Sequence, residues 1–83
     1  MFSERFGLSV LVTRHARERM FQRGVSEIEL HDLLETGVTR YKDDSRLWIA
    51  KEFDFRSDNL LRVAVTLEAR LVVKTVMHYF EGE

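Results

Sequence analysis

A basic segment near the start of the chain, TRHARERMFQRG over residues 13–24, carries side chains that could do chemistry. Within it His15, Arg19 and Arg23 follow one another at intervals of four residues. On an α-helix each such step turns about 40° around the axis, so the three side chains form one slowly rotating stripe. An imidazole transfers protons near neutral pH, and guanidinium groups hold phosphate or carboxylate through paired hydrogen bonds. The stripe is therefore a candidate anion site.

The same stripe also fits a purely structural interpretation. Basic residues on an amphipathic helix commonly serve solubility or local ion pairs. A histidine near a helix start can bond to a backbone carbonyl and hold the preceding strand in place. Spacing alone leaves both interpretations open. The acidic residues within reach of Arg19 or Arg23 are Glu27, Glu29 and Asp32.

A second group of chemically active side chains is expected on the last two strands. Lys74 and His78 are four residues apart on a predicted strand, so they point to the same face of the sheet. Tyr79 lies at the end of that strand, and Arg62 lies on the preceding one. These side chains would form a basic sheet face next to the helix stripe.

The expected register depends on a tight hairpin over residues 68–70. Such a hairpin places residues 64 and 74 nearly opposite each other, which puts Arg62 beside Val76 and near Lys74 and His78. The alternative is an ordinary exposed face whose cations have cross-strand partners. The acidic residues available for that role are Glu52 and Glu68.

Together the two groups supply what metal-independent RNA cleavage needs. A base takes the proton of the 2′-hydroxyl, cations stabilise the crowded phosphate, and an acid protonates the leaving oxygen. In this hypothesis His15 or His78 moves protons, and Tyr79 orients a base or the leaving group. The candidate catalytic residues are His15, Arg19, His78 and Tyr79, and the candidate phosphate-binding residues are Arg23, Arg62 and Lys74.

Local signals predict the elements that position these side chains. Residues 8–12, LSVLV, are apolar and partly β-branched, as expected for a buried strand. Two short helices follow, over 14–23 and from 27 to about 36, and each begins after a hydroxyl residue and ends at a glycine. The predicted caps are Thr13 and Ser26, the latter in a capping box with Glu29, and the terminating glycines are Gly24 and Gly37.

After Gly37 the pattern changes to that of strands separated by polar turns. The predicted strands are 38–42, 46–55, 60–69 and 70–80. The element order β-α-α-β-β-β-β predicts an α+β fold with two N-terminal helices packed on one face of an antiparallel sheet. A chain of 83 residues suits a single domain over 1–83.

Composition narrows the classes of function. Thirteen Lys and Arg stand against fourteen Asp and Glu, with a pI near 6.3, so nucleic-acid binding must depend on a local patch. Cysteine is absent, the histidines lack the spacing of a zinc motif, and the glycines stand singly, so we expect no metal and no cofactor. No apolar run approaches the ~20 residues of a membrane span, and the opening residues make a poor signal peptide. We therefore expect a cytoplasmic protein that does not bind membranes.

The segment HARERMFQRGVSEIEL, residues 15–30, resembles a family of small prokaryotic domains of unknown function. Those domains have a His-Ala pair, arginines four and eight residues later, then Gly-Ile/Val-Ser and a second helix. Their closing strand is similar to KTVMHYF, residues 74–80. The matching signature positions are His15, Ala16, Arg19, Arg23, Gly24, Val25 and Ser26.

The resemblance implies both a fold and a function. The family is placed beside the RelE/ParE-like toxins and related ribonuclease folds, which pack helices against an antiparallel sheet. It implies a toxin of a toxin–antitoxin pair that acts on RNA as an endoribonuclease and binds an antitoxin-like protein. By analogy with RelE-like nucleases, residues on the sheet would carry the reaction, here Arg62, Lys74, His78 and Tyr79.

Two non-catalytic alternatives stay open. One is a protein-interaction module or homodimer that uses the aromatic strand 47–55, which the near-neutral total charge favours. The other is a ParE-like role that blocks a topoisomerase through protein contacts. Exposed aromatics such as Trp48 could stack on bases, but packing in the core or in a dimer is expected for them.

Overall fold

The structure, a computed structural model, describes residues 1–53 and 60–78, with the side chains of Leu60 and His78 outside the description. Tyr79 and the predicted turn over residues 56–59 also lie outside the described residues. The elements in chain order are β1 (Phe2–Ser3), β2 (Leu8–Val12), α1 (Arg14–Arg23), α2 (Glu27–Thr36), β3 (Val38–Tyr41), β4 (Arg46–Glu52), β5 (Leu60–Leu67) and β6 (Leu71–His78).

The helix boundaries confirm the predicted caps. The Thr13 hydroxyl accepts a hydrogen bond from the Ala16 N–H at 3.1 Å, and Gly24 adopts the left-handed φ of 64° that ends α1. Ser26 and Glu29 form the complete capping box, with the two reciprocal hydrogen bonds at 3.1 and 2.9 Å. Local chemistry therefore fixes both helices where the sequence predicted them.

The strands form one six-stranded sheet in the order β1-β2-β6-β5-β4-β3. The α+β class and the packing of two helices on the sheet are confirmed, but the predicted antiparallel sheet is wrong in one pair. Strand β2 runs parallel to β6, so the sheet is mixed. The two-residue strand β1, paired with β2, was also not predicted. The parallel pair joins strands from opposite ends of the chain, so the sequence around β2 could not predict its pairing with β6.

The core lies between the two helices and one face of the sheet. Along β5, Leu61, Val63 and Val65 are buried, whereas the intervening side chains are half-buried on the other face. This alternation is the one predicted from the sequence. From the helices the core receives Ala16, Met20, Leu30, Leu33 and Leu34. Within the described residues no helix packs on the opposite face, which we call the open face.

The hairpin between β5 and β6 contains a β-bulge that changes the expected register. Val65 pairs with Val73, but the next residue back, Ala64, pairs with Thr75, so Lys74 is the extra residue. The predicted pairing of residues 64 and 74 is therefore wrong. Arg62 pairs with Met77 rather than lying beside Val76, and the backbone of His78 pairs with Leu61. Leu61 faces the core, so, contrary to the prediction from the sequence, this register does not place His78 at a position on the same face as Arg62.

A half-buried carboxylate holds the N-terminal segment against α2. Glu35 accepts hydrogen bonds from the Ser3 hydroxyl at 2.5 Å, the Glu4 N–H at 2.7 Å and the Arg5 N–H at 3.2 Å. Its side chain is only 17% exposed. Burial acts to raise the pKa of Glu35, but hydrogen bonds from Ser3, Arg5 and Glu4, together with the charge of His31, outweigh it and lower that pKa.

This lowered pKa predicts an acid-sensitive contribution to stability. The folded state favours the ionised Glu35, so its contribution is complete above the ordinary carboxyl pKa of 4.5 and is lost as the pH falls through the lower folded value. We expect the stability difference between the wild type and Glu35→Gln, measured by urea unfolding, to shrink steadily below that pH. Parallel stability curves for the two proteins from neutral to acid pH would contradict this assignment.

Candidate nucleic-acid interface

Helix α1 closes an edge of the sheet that β2 leaves open. Strand β2 pairs with β6 only from Leu71 to Val73, and α1 lies against the part of β6 that follows. The Thr13 hydroxyl donates to the carbonyl of Lys74 at 3.3 Å, and the Arg23 Nε donates to the carbonyl of Val76 at 3.2 Å. These donors satisfy edge carbonyls that a neighbouring strand would otherwise satisfy. Arg23 thus has a structural role.

The other two members of the helix stripe have different environments. His15 is exposed, and its Nε2 lies 3.2 Å from the Thr75 hydroxyl on β6. Arg19 donates through Nη1 to the Gln22 amide oxygen at 3.2 Å on the same helix. The stripe therefore contacts β6 through His15 and Arg23, while Arg19 contacts its own helix. Among the acids considered as partners, Glu27 lies 3.9 Å from Arg17.

The contrast between the two arginines gives a testable prediction. Arg23→Ala removes the charged donor to the Val76 carbonyl, and hydrogen bonds of this type contribute about 1.5–3 kcal/mol. Arg19→Ala removes only an exposed contact and should change the free energy of unfolding by less than about 0.5 kcal/mol. Chemical denaturation of both variants measures the difference. Equal stability losses would show that Arg23 does not support the sheet edge.

On the open face, Trp48 is the centre of a row of side chains that crosses four strands. Arg40 pairs with Trp48, Trp48 with Ala64, and Ala64 with Thr75. Directly paired residues share a face of the sheet, and neighbouring strands are about 4.8 Å apart. The row therefore leads from Arg40 at β3 to Thr75 at β6, where His15 meets it.

Arg62 packs directly on Trp48. Its guanidinium carbon lies 4.6 Å from the centre of the Trp48 ring, and its Nη2 donates to the Met77 sulfur at 3.3 Å. Both Trp48 and Arg62 are half-buried. A cation over the face of a tryptophan ring is a favourable contact. The hydrogen bond from Arg62 to the Met77 sulfur restricts rotation of the guanidinium. The indole ring and the guanidinium stacked on it form a planar surface, which we call the Trp48–Arg62 platform.

A cavity lies on each side of Trp48. The larger has a volume of about 460 Å³ and is lined by Thr36, Gly37, Val38, Arg40, Trp48, Ala50, Lys51, Glu52 and Arg62. The smaller has a volume of about 290 Å³ and is lined by Lys42, Arg46, Leu47, Trp48, Ala64, Val65, Thr66 and Lys74. Two predicted phosphate-binding residues, Arg62 and Lys74, thus lie on opposite sides of the same tryptophan.

The cations of the open face differ in whether they are already paired. Arg46 forms an ion pair with Asp43 at 2.6 Å, and its hydrogen bond, with those of the Ser45 and Arg46 N–H groups, holds the pKa of Asp43 far below its ordinary value. Within residues 1–53 and 60–78, Arg40, Lys42 and Lys74 make no ion pair. These three cations can therefore form ion pairs with an anionic ligand.

The structure brings only some of the predicted site residues together. Arg62 and Lys74 flank Trp48, and His15 reaches the end of the same row. Arg19 and Arg23 line neither cavity. The side chain of His78 and all of Tyr79 lie outside the described residues, so their roles stay predictions.

The sequence reasoning missed the residue at the centre of the site. We expected Trp48 to pack in the core or in a dimer; it lies half-buried on the open face, outside the core, and its packing in a dimer stays a prediction. The sequence shows no alternation there, because residues 47–50 are four successive apolar residues; the burial of Leu47 and Ile49 in the structure assigns Trp48 to the other face. Arg40 also joins the site, but only the observed register of β3 against β4 places it beside Trp48.

Fold and site together define a small α+β domain with a cationic and aromatic sheet face. A family model described as a domain of unknown function, DUF4258, matches residues 12–78. The chain therefore belongs to this family. No curated protein and no solved structure matches the chain. In the described parts of the chain, no helix is long and apolar enough to cross a membrane.

Proposed function

We propose that the protein binds single-stranded RNA on its open face and acts on it as a metal-independent endoribonuclease of the toxin type. The observation that carries this proposal is the position of Trp48 between two cavities, each lined by cations. Aromatic side chains stack on unpaired bases, and neighbouring cations bind the phosphates between them. An A-form duplex would present its backbone and not its base faces, so single strands fit this surface better.

The charge distribution agrees with this proposal despite the acidic balance of the whole chain. Arg40, Lys42 and Lys74, which make no ion pair within the described residues, line the two cavities beside Trp48. Glu52 is the acid in the lining of the larger cavity. Because the net charge of the chain is −1, RNA binding needs a local patch of cations, and Arg40, Lys42 and Lys74 provide one.

In the proposed cleavage step His15 acts as the base. Its imidazole takes the proton of a 2′-hydroxyl, and the resulting oxygen attacks the adjacent phosphorus. The bond from phosphorus to the 5′-oxygen breaks, and water protonates the leaving oxygen, because the register of β6 pairs His78 with the core-facing Leu61 and not with a residue of the open face. The products are a 2′,3′-cyclic phosphate and a free 5′-hydroxyl. Arg62 and Lys74 stabilise the phosphate charge, Arg19 contributes at the rim, and Tyr79 orients the leaving group.

Induction of the protein in a bacterium tests this activity. We expect slowed growth and fragmented RNA with 2′,3′-cyclic phosphate ends, and cleavage by the purified protein that persists in EDTA. A folded His15→Ala/Arg19→Ala double variant should lose both effects. Intact RNA and normal growth, or equal cleavage by the double variant, would remove the nuclease proposal.

A second candidate is a protein-interaction module, including a homodimer, a ParE-like inhibitor or a subunit bound by an antitoxin-like protein. The observation that favours it is the exposure of large apolar side chains on the helices, with Phe21 90% and Ile28 82% exposed. Light scattering tests for a dimer, and pairing through an apolar surface should change little with salt. RNA binding, in contrast, weakens steeply as salt rises.

A further inference from the structure

The larger cavity on the open face has the dimensions and lining of a small-ligand site. Its volume of about 460 Å³ lies within the usual range for such sites, about 300–1,000 Å³. Its apolar lining includes Val38, Ala50 and the ring of Trp48. Gly37, which caps the C-terminal end of α2, also lines the cavity. The cavity therefore combines apolar side chains with the planar guanidinium of Arg62, which lies over the Trp48 ring.

The charged groups around this cavity favour an anion. Lys51 is engaged, because its Nζ lies 2.7 Å from both the Asp32 carboxylate and the Thr36 hydroxyl. Arg62 is held on Trp48. Arg40 is exposed and makes no ion pair within the described chain, so its guanidinium can bind phosphate.

A ligand that satisfies both features has a planar ring and an anionic group. Arg40 is directly paired with Trp48 on the neighbouring strand, so a ring stacked on the platform places its attached phosphate within reach of Arg40. The Glu52 carboxylate accepts hydrogen bonds and can take the N–H donors of a base edge. A nucleotide combines these groups in one molecule.

We propose that the larger cavity is a pocket for a single nucleotide, whose base stacks on the Trp48–Arg62 platform and whose phosphate binds Arg40. This inference rests on the proposed RNA binding, since it names the place where one base of the strand is held. It goes further, because the pocket should bind a free mononucleotide without the rest of the chain.

Trp48 is the only tryptophan, so its fluorescence reports directly on the pocket. The probes are the four common 5′-ribonucleoside monophosphates, with ribose 5-phosphate and inorganic phosphate as controls. We expect saturable quenching by at least one nucleotide and at least tenfold weaker binding of both controls. No saturable quenching by any nucleotide, or equal binding of inorganic phosphate, would overturn the proposal.

Two alanine-to-leucine variants provide a matched comparison. Ala50 lines the larger cavity, whereas Ala69 is exposed in the turn between β5 and β6 and lines neither cavity. Ala50→Leu should weaken nucleotide binding at least tenfold, whereas Ala69→Leu should change it less than twofold. Equal effects of the two variants would overturn the pocket assignment. Thermal unfolding of each variant establishes that it is folded.

Titration of the same proteins with a single-stranded RNA separates this inference from the proposed function. RNA binding without any mononucleotide binding would overturn the pocket and leave the RNA proposal standing. Mononucleotide binding without RNA binding would leave the pocket standing and overturn the RNA proposal.

Discussion

Replacing Gly37 with alanine is expected to destabilise the protein by roughly 3 kcal/mol, because the added methyl group has no space. A Cβ at this position would lie 2.5 Å from the Leu33 carbonyl oxygen, 2.7 Å from the Ile49 Cγ2 and 2.9 Å from the Ala50 carbonyl oxygen. Two of these three neighbours are backbone atoms, which cannot move away without breaking α2 or β4. In a domain of this size the loss corresponds to a fall in Tm of roughly 12–24 °C.

Gly24→Ala is the matched control for this prediction. Gly24 has a φ of +64°, but no atom of the described residues lies within 4 Å of a Cβ built there. Its substitution should therefore cost only the strain of a left-handed alanine, about 1–2 kcal/mol. Thermal or urea unfolding of the two variants shows which substitution destabilises the protein more. A larger loss for Gly24→Ala than for Gly37→Ala would mean that close packing does not explain Gly37.

The tight packing at Gly37 also matters for the candidate site. The Arg5 Nη1 donates to the carbonyls of Gly37 at 2.7 Å and Leu34 at 3.2 Å, which fixes the end of α2. Gly37 directly precedes β3 and lines the larger cavity. A variant that is folded but shifted at this position should therefore bind nucleotides more weakly.

The second large effect is expected for Trp48→Ala, which should weaken binding of single-stranded RNA by about 5- to 150-fold. This range corresponds to the about 1–3 kcal/mol that stacking of one base on an aromatic side chain contributes. The variant also removes the ring on which Arg62 packs. Trp48→Phe keeps an aromatic surface, so it should retain most of the affinity. Fluorescence anisotropy with a labelled RNA measures all three proteins.

Tyr41→Ala controls for the loss of an aromatic side chain elsewhere. Tyr41 is 53% exposed and pairs with the buried Leu47, so it lies on the helix side of the sheet and not on the open face. We expect its substitution to change RNA affinity less than twofold. An equal loss for Tyr41→Ala and Trp48→Ala would show that RNA does not bind the open face specifically.

The parts of the fold that the sequence predicted correctly depend on neighbouring residues. Thr13, Ser26 and Gly24 act on helix ends within a few residues of themselves, and each has the predicted role. The alternation of Leu61, Val63 and Val65 likewise assigns the faces of β5 without knowledge of any other strand. Local chemistry was sufficient for these elements.

The parts that failed depend on partners far along the chain. The parallel pairing of Val10 with Leu71 joins residues from opposite ends of the chain, and the bulge at Lys74 shifts the register by one residue. Hairpin spacing predicts neither of these features, and a shift of one residue changes which side chains share a face. The sequence therefore named Arg62 and Lys74 as candidates but not Trp48 or Arg40, and it did not predict how these residues are arranged. Of the stripe on α1, Arg23 donates to the Val76 carbonyl.

The central claim is that the open face binds RNA through phosphate contacts around Trp48. Titration of a single-stranded RNA at salt concentrations between about 50 and 200 mM tests it most directly, because the logarithm of the affinity falls by about 0.7 per phosphate contact for each unit of log salt. We predict that the logarithm of the affinity plotted against log salt has a slope of about −2 to −3. In Arg40→Gln, and likewise in Lys74→Gln, the slope should be less steep by about 0.7. Absence of binding at the lowest salt, or an affinity that salt and both substitutions leave unchanged, would contradict the claim.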